Sequence, residues 1–68
     1  MENSKVKAIR DKMGLTQMQF ASLVQVHLST IYKWEHEGIT PLGVTKLKDH
    51  VTPDDLSELF AEAMRNAD

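Results

Sequence analysis

The chain has 68 residues, the size of one small domain whose hydrophobic core is marginal alone, so we expect a second copy to supplement it. It contains no cysteine, which excludes disulfides and thiolate metal sites and fits a reducing cytoplasm. No apolar run reaches the length of a transmembrane helix, and the polar first residues do not resemble a signal peptide. We therefore expect a soluble cytoplasmic protein without membrane contact.

The net charge of −2 argues at first sight against a nucleic-acid partner, because phosphate-binding domains are usually basic. The charge is, however, unevenly distributed. Residues 1–52 carry seven Lys or Arg against five acidic residues, whereas residues 53–68 carry one Arg against five acidic residues. The acidic excess is confined to the C-terminal segment, which would have to lie away from the phosphates of a bound nucleic acid.

The first predicted helix covers residues 5–13, with Ser4 as its N-cap and Gly14 as its stop. Its apolar positions recur with helical spacing, which predicts a buried stripe of Val6, Ile9 and Met13. The basic residues lie outside this stripe, and we expect a mainly solvated face rather than a row of phosphate contacts. These residues are Lys5, Lys7, Arg10 and Lys12.

A second and a third helix follow, joined by a tight turn. Thr16 and Gln19 have the spacing of a capping box, so the second helix begins at Gln17. Its predicted apolar stripe is Phe20, Leu23 and Val24, with the small Ala21 beside it. The pattern breaks at residues 25–27, and the third helix is predicted from Leu28 to about His36, with Gly38 closing it.

The third helix is predicted to have two different faces. At about 100° per residue, Thr30, Ile31 and Trp34 lie on one side and would pack. The opposite side is polar and would be offered to a partner, with Leu28 at its edge. It carries Ser29, Tyr32, Lys33 and His36. A pair of short helices that presents one polar face is the geometry of a helix-turn-helix reader.

Two more helices complete the predicted fold. The fourth begins at Pro41 or Leu42, runs to about His50 and is weakened by Gly43; its inward residues are Val44, Leu47 and Val51. Thr52 caps the fifth, which has Pro53 at its first position and a stripe of Leu56, Leu59, Phe60, Ala63 and Met64. We expect Glu58, Glu62 and Asp68 to stay in water. We thus predict an all-α bundle of five short helices in one domain, 1–68, with a reader unit at 16–37 and an acidic helix at 53–66.

Residues suited to catalysis are not found together in the sequence. His27, His36 and His50 have no second ligand at helical spacing, so we expect no metal site. The adjacent Asp54 and Asp55 suit a helix N-terminus better than a general acid and base. Because no Gly-rich phosphate loop occurs either, we expect neither enzymatic activity nor a cofactor.

The order and spacing of about ten residues resemble the Cro/C1-type (XRE-like) helix-turn-helix family of phage repressors, bacterial regulators and antitoxins. They are L-T-Q at 15–17, F-A at 20–21, Val26, S-T-I at 29–31, W-E at 34–35 and Pro41. The resemblance covers Lys5 to about Leu59 and implies a lambda-repressor-like fold that binds double-stranded DNA. Two positions differ from the pattern of the family. Gln25 stands where the family commonly has a glycine in the turn, and Glu37 intervenes so that Gly38 comes one residue later than in the family.

We assign DNA contacts from the helix faces and the resemblance together. Candidate base contacts are Leu28, Ser29, Tyr32 and Lys33, because Lys33 can donate to guanine and Tyr32 can contact a thymine methyl group. Candidate backbone contacts are Gln17, His27, Thr30 and His36, of which Gln17 matches the family position that holds a phosphate at a helix N-terminus. The resemblance also implies a structural ion pair of Arg10 with Glu35. Trp34 is expected in the core, and Leu28 at the core edge is an alternative to a base contact.

Three functions remain open on the sequence alone. The first is a sequence-specific repressor of the Cro type, phage or bacterial, which binds a palindromic operator as a homodimer. The second is an antitoxin, which would bind DNA through the same helix and also bind a toxin. The third is a helical protein-interaction module without DNA binding, which the acidic composition favours and the polar stripe with Lys33 disfavours.

Overall fold

The computed structural model describes residues 4–66, which form five α-helices and one short 3-10 helix without a strand in that range. The α-helices are α1 (Lys5–Met13), α2 (Gln17–Val24), α3 (Leu28–Glu37), α4 (Pro41–Leu47) and α5 (Pro53–Asn66), and the 3-10 helix is Lys48–His50. The predicted all-α bundle of five helices is thereby confirmed. No helix within residues 4–66 combines the length and apolarity needed to cross a membrane.

Side-chain hydroxyls cap four of the helices. Ser4 accepts from the backbone amide of Lys7 at 3.3 Å, and Thr16 and Gln19 form the reciprocal capping box that the sequence predicts. Thr52 accepts from the amide of Asp55 at 3.1 Å. Thr40 caps α4 by accepting from Gly43 at 3.1 Å, a cap that the sequence analysis did not identify. These bonds satisfy amide donors that have no partner within their own helix.

The core is one cluster of apolar side chains drawn from all five helices and from the loop before α4. Its largest fully buried members are Phe20, Ile9, Ile31, Ile39, Leu47, Leu59, Val6 and Val44. Ile39 lies in the loop between α3 and α4, outside any helical pattern, and was not predicted. Trp34 packs in the same cluster with 5% of its surface exposed.

Four residues of the predicted apolar stripes are exposed, among them Met13, which was predicted to be buried. They are Met13 at 38%, Leu23 at 40%, Phe60 at 44% and Met64 at 68%. Helical spacing identifies an apolar side of a helix, but the width of the buried strip depends on how closely neighbouring helices approach. On α5 only the middle of the predicted stripe, Leu59 and Ala63, is fully buried.

Gly43 has a packing function that its weak helix propensity did not suggest. A Cβ at this position would lie 2.7 Å from Cζ2 of Trp34 and 2.9 Å from Cγ1 of Ile39. Besides the predicted weakening of α4, Gly43 therefore has a packing role, because the missing side chain makes room for the indole.

Two acidic residues of α5 fasten this helix to the rest of the bundle. Glu62 is only 8% exposed and accepts from the backbone amides of Lys5 at 2.9 Å and Ile39 at 3.3 Å. The prediction that Glu62 stays in water was therefore wrong: its carboxylate occupies the positive end of α1, where amide donors are free. Asp55 is 6% exposed and pairs with Lys5 at 3.1 Å and Lys12 at 2.8 Å.

These ion pairs change the interpretation of the basic face of α1. Lys5 contacts both Asp55 and Glu58, and these two carboxylates raise the pKa of its ammonium group. Lys12 and Lys5 together lower the pKa of Asp55 to about 2. The face is thus not simply solvated, since the acidic helix neutralises part of it. Within the described residues, the negative charge of α5 is directed mainly toward α1.

Candidate nucleic-acid interface

Helices α2 and α3 pack closely against each other and are joined by a turn at residues 25–27. Gln25 ends α2 in the left-handed conformation, with φ 61° and ψ 48°. For a residue with a side chain this conformation costs on the order of 1 kcal/mol. The backbone amides of Gln25 and Val26 donate to Ser22 and Ala21, so the turn keeps the hydrogen bonds of a helix-ending motif without glycine.

The inward side of α3 fixes the orientation of the helix. Ile31 is fully buried and Trp34 nearly so, as the sequence predicts. Glu35 lies one position further along and is 4% exposed. Because these residues occupy one side of the helix, the opposite side must face away from the core.

The outward side of α3 is exposed along its length. Leu28 is 43% and Tyr32 56% exposed, and the other members of the predicted polar stripe are exposed as well. Those other members are Ser29, Lys33 and His36. Among residues 4–66, Lys33 takes part in no ion pair, so its ammonium group is available to an external acceptor.

Two aromatic side chains of this outward side touch each other. The rings of Tyr32 and His36, one helical turn apart, have centroids separated by 4.0 Å and planes inclined by 33°. Spacing of i and i+4 on a helix allows such a contact, but the sequence analysis treated the two residues separately. The pair was detectable from that spacing.

A buried ion pair holds α3 against α1 and α2. Arg10 donates from Nε to Glu35 Oε2 at 2.6 Å, from Nη2 to Oε1 at 3.2 Å, and from Nη1 to the carbonyl of Leu15 at 2.9 Å. The side chains of Arg10 and Glu35 are 12% and 3% exposed. The hydrogen bonds to the Glu35 carboxylate raise the pKa of the Arg10 guanidinium. The planar fork of arginine suits this two-bond geometry.

Gln17 belongs to the same network. Its Nε2 donates to Glu35 Oε1 at 3.0 Å, and the residue is half-buried at the N-terminus of α2. Two hydrogens are carried by Nε2, so one is left for a further acceptor. The side chain that the resemblance relates to a phosphate is thus oriented by the carboxylate of α3.

The remaining candidate backbone contacts lie at the margins of α3. His27 precedes the helix and is exposed, and its carbonyl accepts from the amides of Thr30 and Ile31. Thr30 is half-buried on the edge between the inward and outward sides. Glu37, exposed at the last position of α3, was interpreted in the sequence only as the residue that delays Gly38, and it places a carboxylate one turn after Lys33. An acidic group there would oppose a nearby phosphate.

Within residues 4–66 no group of three or more His, Asp or Glu side chains is arranged to hold a metal ion. Every described histidine is exposed.

Comparison with known proteins agrees with the arrangement of α2 and α3. The family model described as Helix-turn-helix matches residues 6–49, which is more than half of the chain and includes the whole of α2 and α3. A search of curated proteins and a search of solved structures each found no match. The matched family is one of DNA-binding regulatory domains. The chain belongs to the Cro/C1-type (XRE-like) helix-turn-helix family of DNA-binding regulators.

Proposed function

We propose that this protein is a transcriptional repressor that binds a palindromic operator as a homodimer and inserts α3 of each copy into the major groove. The observation that carries the proposal is the division of α3 into a buried side with Ile31 and Trp34 and an exposed side with Ser29, Tyr32 and Lys33. The major groove admits one α-helix and presents a distinct donor and acceptor pattern for each base pair.

Each exposed group on α3 suits a particular kind of contact. Lys33 donates to O6 or N7 of guanine, Tyr32 packs on a thymine methyl group, and Ser29 serves either a base or a phosphate. Leu28, at the start of the helix, contacts a methyl group. These four residues lie on one side of α3, within reach of the same few base pairs.

Phosphate contacts would lie on both sides of α3. Gln17 uses the free hydrogen of its amide, together with the N-terminus of α2, while its other hydrogen stays on Glu35. His27 and Thr30 contact the backbone beside the first turn of α3. The position of His36 on α3 predicts a phosphate contact for this residue as well.

The acidic composition is compatible with this function because of where the charges lie. Asp55 and Glu58 are paired with lysines of α1, and Glu62 accepts backbone hydrogen bonds. Lys33 on α3 has no such partner within residues 4–66. The local potential at α3, rather than the net charge, governs the approach of DNA.

A second copy would use α5. Phe60 and Met64 are exposed at 44% and 68%, and they lie one turn apart on this helix. Burying such side chains in a symmetric contact stabilises a dimer, at roughly 1.5–3 kcal/mol for each large apolar side chain that becomes fully buried. Two copies related by a two-fold axis would read two half-sites about one turn of DNA apart.

The deciding experiment is selection of bound sequences from a random duplex pool by the purified protein. We expect an enriched motif with two-fold symmetry. Replacing Ser29, Tyr32 and Lys33 together by Ala should abolish the enrichment while circular dichroism remains unchanged, because none of these side chains supports the core. If the triple variant keeps the affinity of the wild type for the enriched motif, α3 is not the reader. If the wild type enriches no motif, a protein-interaction module becomes the better account.

A further inference from the structure

We infer that His36 is a positioning residue for DNA reading: its imidazole stacks on Tyr32 and holds the phenol ring in the orientation that contacts a base. This inference rests on the proposed function, and it replaces a phosphate contact as the role of His36. The observation behind it is the 4.0 Å separation of the two ring centroids on the exposed side of α3.

Apart from His36, little restricts the orientation of the Tyr32 ring. The residue is 56% exposed, and within residues 4–66 its hydroxyl makes no hydrogen bond to a side chain or to the backbone. An exposed aromatic side chain samples several rotamers, and a ligand that needs one of them must restrict the others on binding. Contact with a neighbouring ring restricts those rotamers before DNA arrives.

His36 is placed to provide that restriction. It lies in the last turn of α3, one turn after Tyr32, and its plane is inclined by 33° to the phenol ring. The next residue toward the N-terminus, Glu35, is fixed by Arg10 and Gln17, so the backbone that carries His36 is itself held in place. The backbone position from which the imidazole extends is therefore fixed.

The geometry also explains why a phosphate role for His36 fits less well. The stack uses the face of the imidazole rather than its nitrogen atoms, and Glu37 follows His36 with an exposed carboxylate. A phosphate near this end of α3 would meet that negative charge. Stacking, in contrast, needs only the planar surface of the imidazole and not its hydrogen bonds or its charge.

Two substitutions separate these roles. His36→Ala removes the stack, whereas His36→Phe keeps a ring at the same place without nitrogen atoms. On the duplex motif enriched from the random pool, we expect His36→Ala to bind about 2- to 10-fold more weakly, with relaxed preference at the base pair that Tyr32 contacts. We expect His36→Phe to stay within about 2-fold of the wild type. His50→Ala and His50→Phe, at an exposed histidine of the 3-10 helix, are the matched controls and should not differ in affinity or base preference.

Tyr32 can also be observed without DNA. In the free protein, NMR should give Tyr32 Hα–Hβ couplings of a single rotamer in the wild type and in His36→Phe, and averaged couplings in His36→Ala. Averaged couplings in the wild type would overturn the inference, whatever the DNA measurements give.

The DNA measurements distinguish this inference from the proposed function. If His36→Phe binds as weakly as His36→Ala and both lower the salt slope by about one unit, His36 contacts a phosphate and the inference is wrong, although the protein still reads DNA. If the wild type enriches no motif, the proposed function fails and the role of the stack in DNA reading fails with it. In that case single-rotamer couplings would still show that His36 orders Tyr32.

Discussion

The indole of Trp34 lies directly over Gly43, so that a Cβ added at Gly43 would be 2.7 Å from Cζ2 and 2.9 Å from Cε2 of the indole. Both atoms belong to a ring buried in the core, and neither can move away as the end of a flexible side chain would. The contact between Trp34 and Gly43 joins α3 to α4 and leaves no room for a methyl group at position 43.

Gly43→Ala should therefore destabilise the protein although alanine favours helices. The gain in helix propensity is about 1 kcal/mol, whereas forcing a methyl group into a packed core costs about 1–3 kcal/mol. We expect a net loss of up to about 2 kcal/mol in urea unfolding. Gly14, where a Cβ would meet nothing within 4 Å but φ is +73°, is the control. Gly14→Asn should be better tolerated than Gly14→Ala, while Gly43→Asn should be worse than Gly43→Ala.

Glu35→Ala should destabilise the protein by on the order of 3 kcal/mol, because it leaves the Arg10 guanidinium buried without its carboxylate and frees Gln17 as well. The exposed i,i+4 pair of Lys7 and Asp11 provides the comparison. Lys7→Ala should leave the urea midpoint almost unchanged, since exposed pairs contribute little and Lys7, unlike Asp11, does not contact Arg10. Equal losses of stability in the two variants would show that the buried pair contributes no more to stability than the exposed pair.

Asp55 should make stability depend on pH in acid. Its pKa is about 2 in the folded protein, held down by Lys12 and Lys5, against an ordinary value near 3.8 in the unfolded chain. A lowered pKa contributes stability that is present above pH 4 and is lost as the pH falls toward 2. With a discount for the exposed Lys12 partner, we expect about 1–2 kcal/mol.

Asp55→Asn tests this expectation against Asp54→Asn, an exposed neighbour in the same first turn of α5. Unfolding measured between pH 5 and pH 2 should show a flatter profile for Asp55→Asn and an unchanged profile shape for Asp54→Asn. Parallel curves for Asp55→Asn and the wild type would contradict the assignment.

The apolar residues on the outside of α5 should affect association but not folding. Because Phe60 and Met64 are exposed, replacing both with Ser should change the free energy of unfolding by no more than about 1 kcal/mol. Sedimentation should nevertheless show fewer dimers, and operator binding should weaken. Leu59→Ala, a change in the buried core, is the opposite control and should cost about 2–5 kcal/mol of stability. A wild type that is monomeric both free and on its operator would refute the dimer.

Lys33→Ala distinguishes a base contact from a phosphate contact. If Lys33 donates to guanine, specific binding should weaken by about 1–3 kcal/mol and preference should relax at one base pair of each half-site. If it contacts a phosphate, specific and non-specific binding should fall alike, with a salt slope smaller by about one unit. Lys7→Ala, on α1, should do neither. Circular dichroism should be unchanged in both variants.

Local features of this fold could be predicted from the sequence, whereas several tertiary features could not. The caps at Ser4, Thr16 and Thr52 depend on residues three positions apart, so the sequence displays them directly. The position of α3 and its buried side follow from helical spacing. Burial of Glu62 depends on neighbours 57 and 23 positions away, and the lack of room at Gly43 depends chiefly on Trp34, nine positions earlier, which no local pattern reveals.

The candidate site was predicted unevenly for the same reason. The exposed stripe on α3 follows from spacing, and the partners Arg10 and Glu35 were named through the resemblance to a family. The engagement of Gln17 by Glu35 could not be deduced, since the two residues are 18 positions apart and no periodicity connects them. The contact between the rings of Tyr32 and His36 could have been predicted from their i,i+4 spacing alone.

The bond between the Glu62 carboxylate and the backbone of Lys5 spans 57 residues of the chain, and the bond between Lys12 and Asp55 spans 43. Closing segments of this length costs entropy before the contacts compensate for it. During synthesis, α1 leaves the ribosome long before the carboxylates that fasten it exist. Its first amides and its lysines must therefore remain hydrated until α5 follows, and the bundle should assemble in one late step rather than helix by helix.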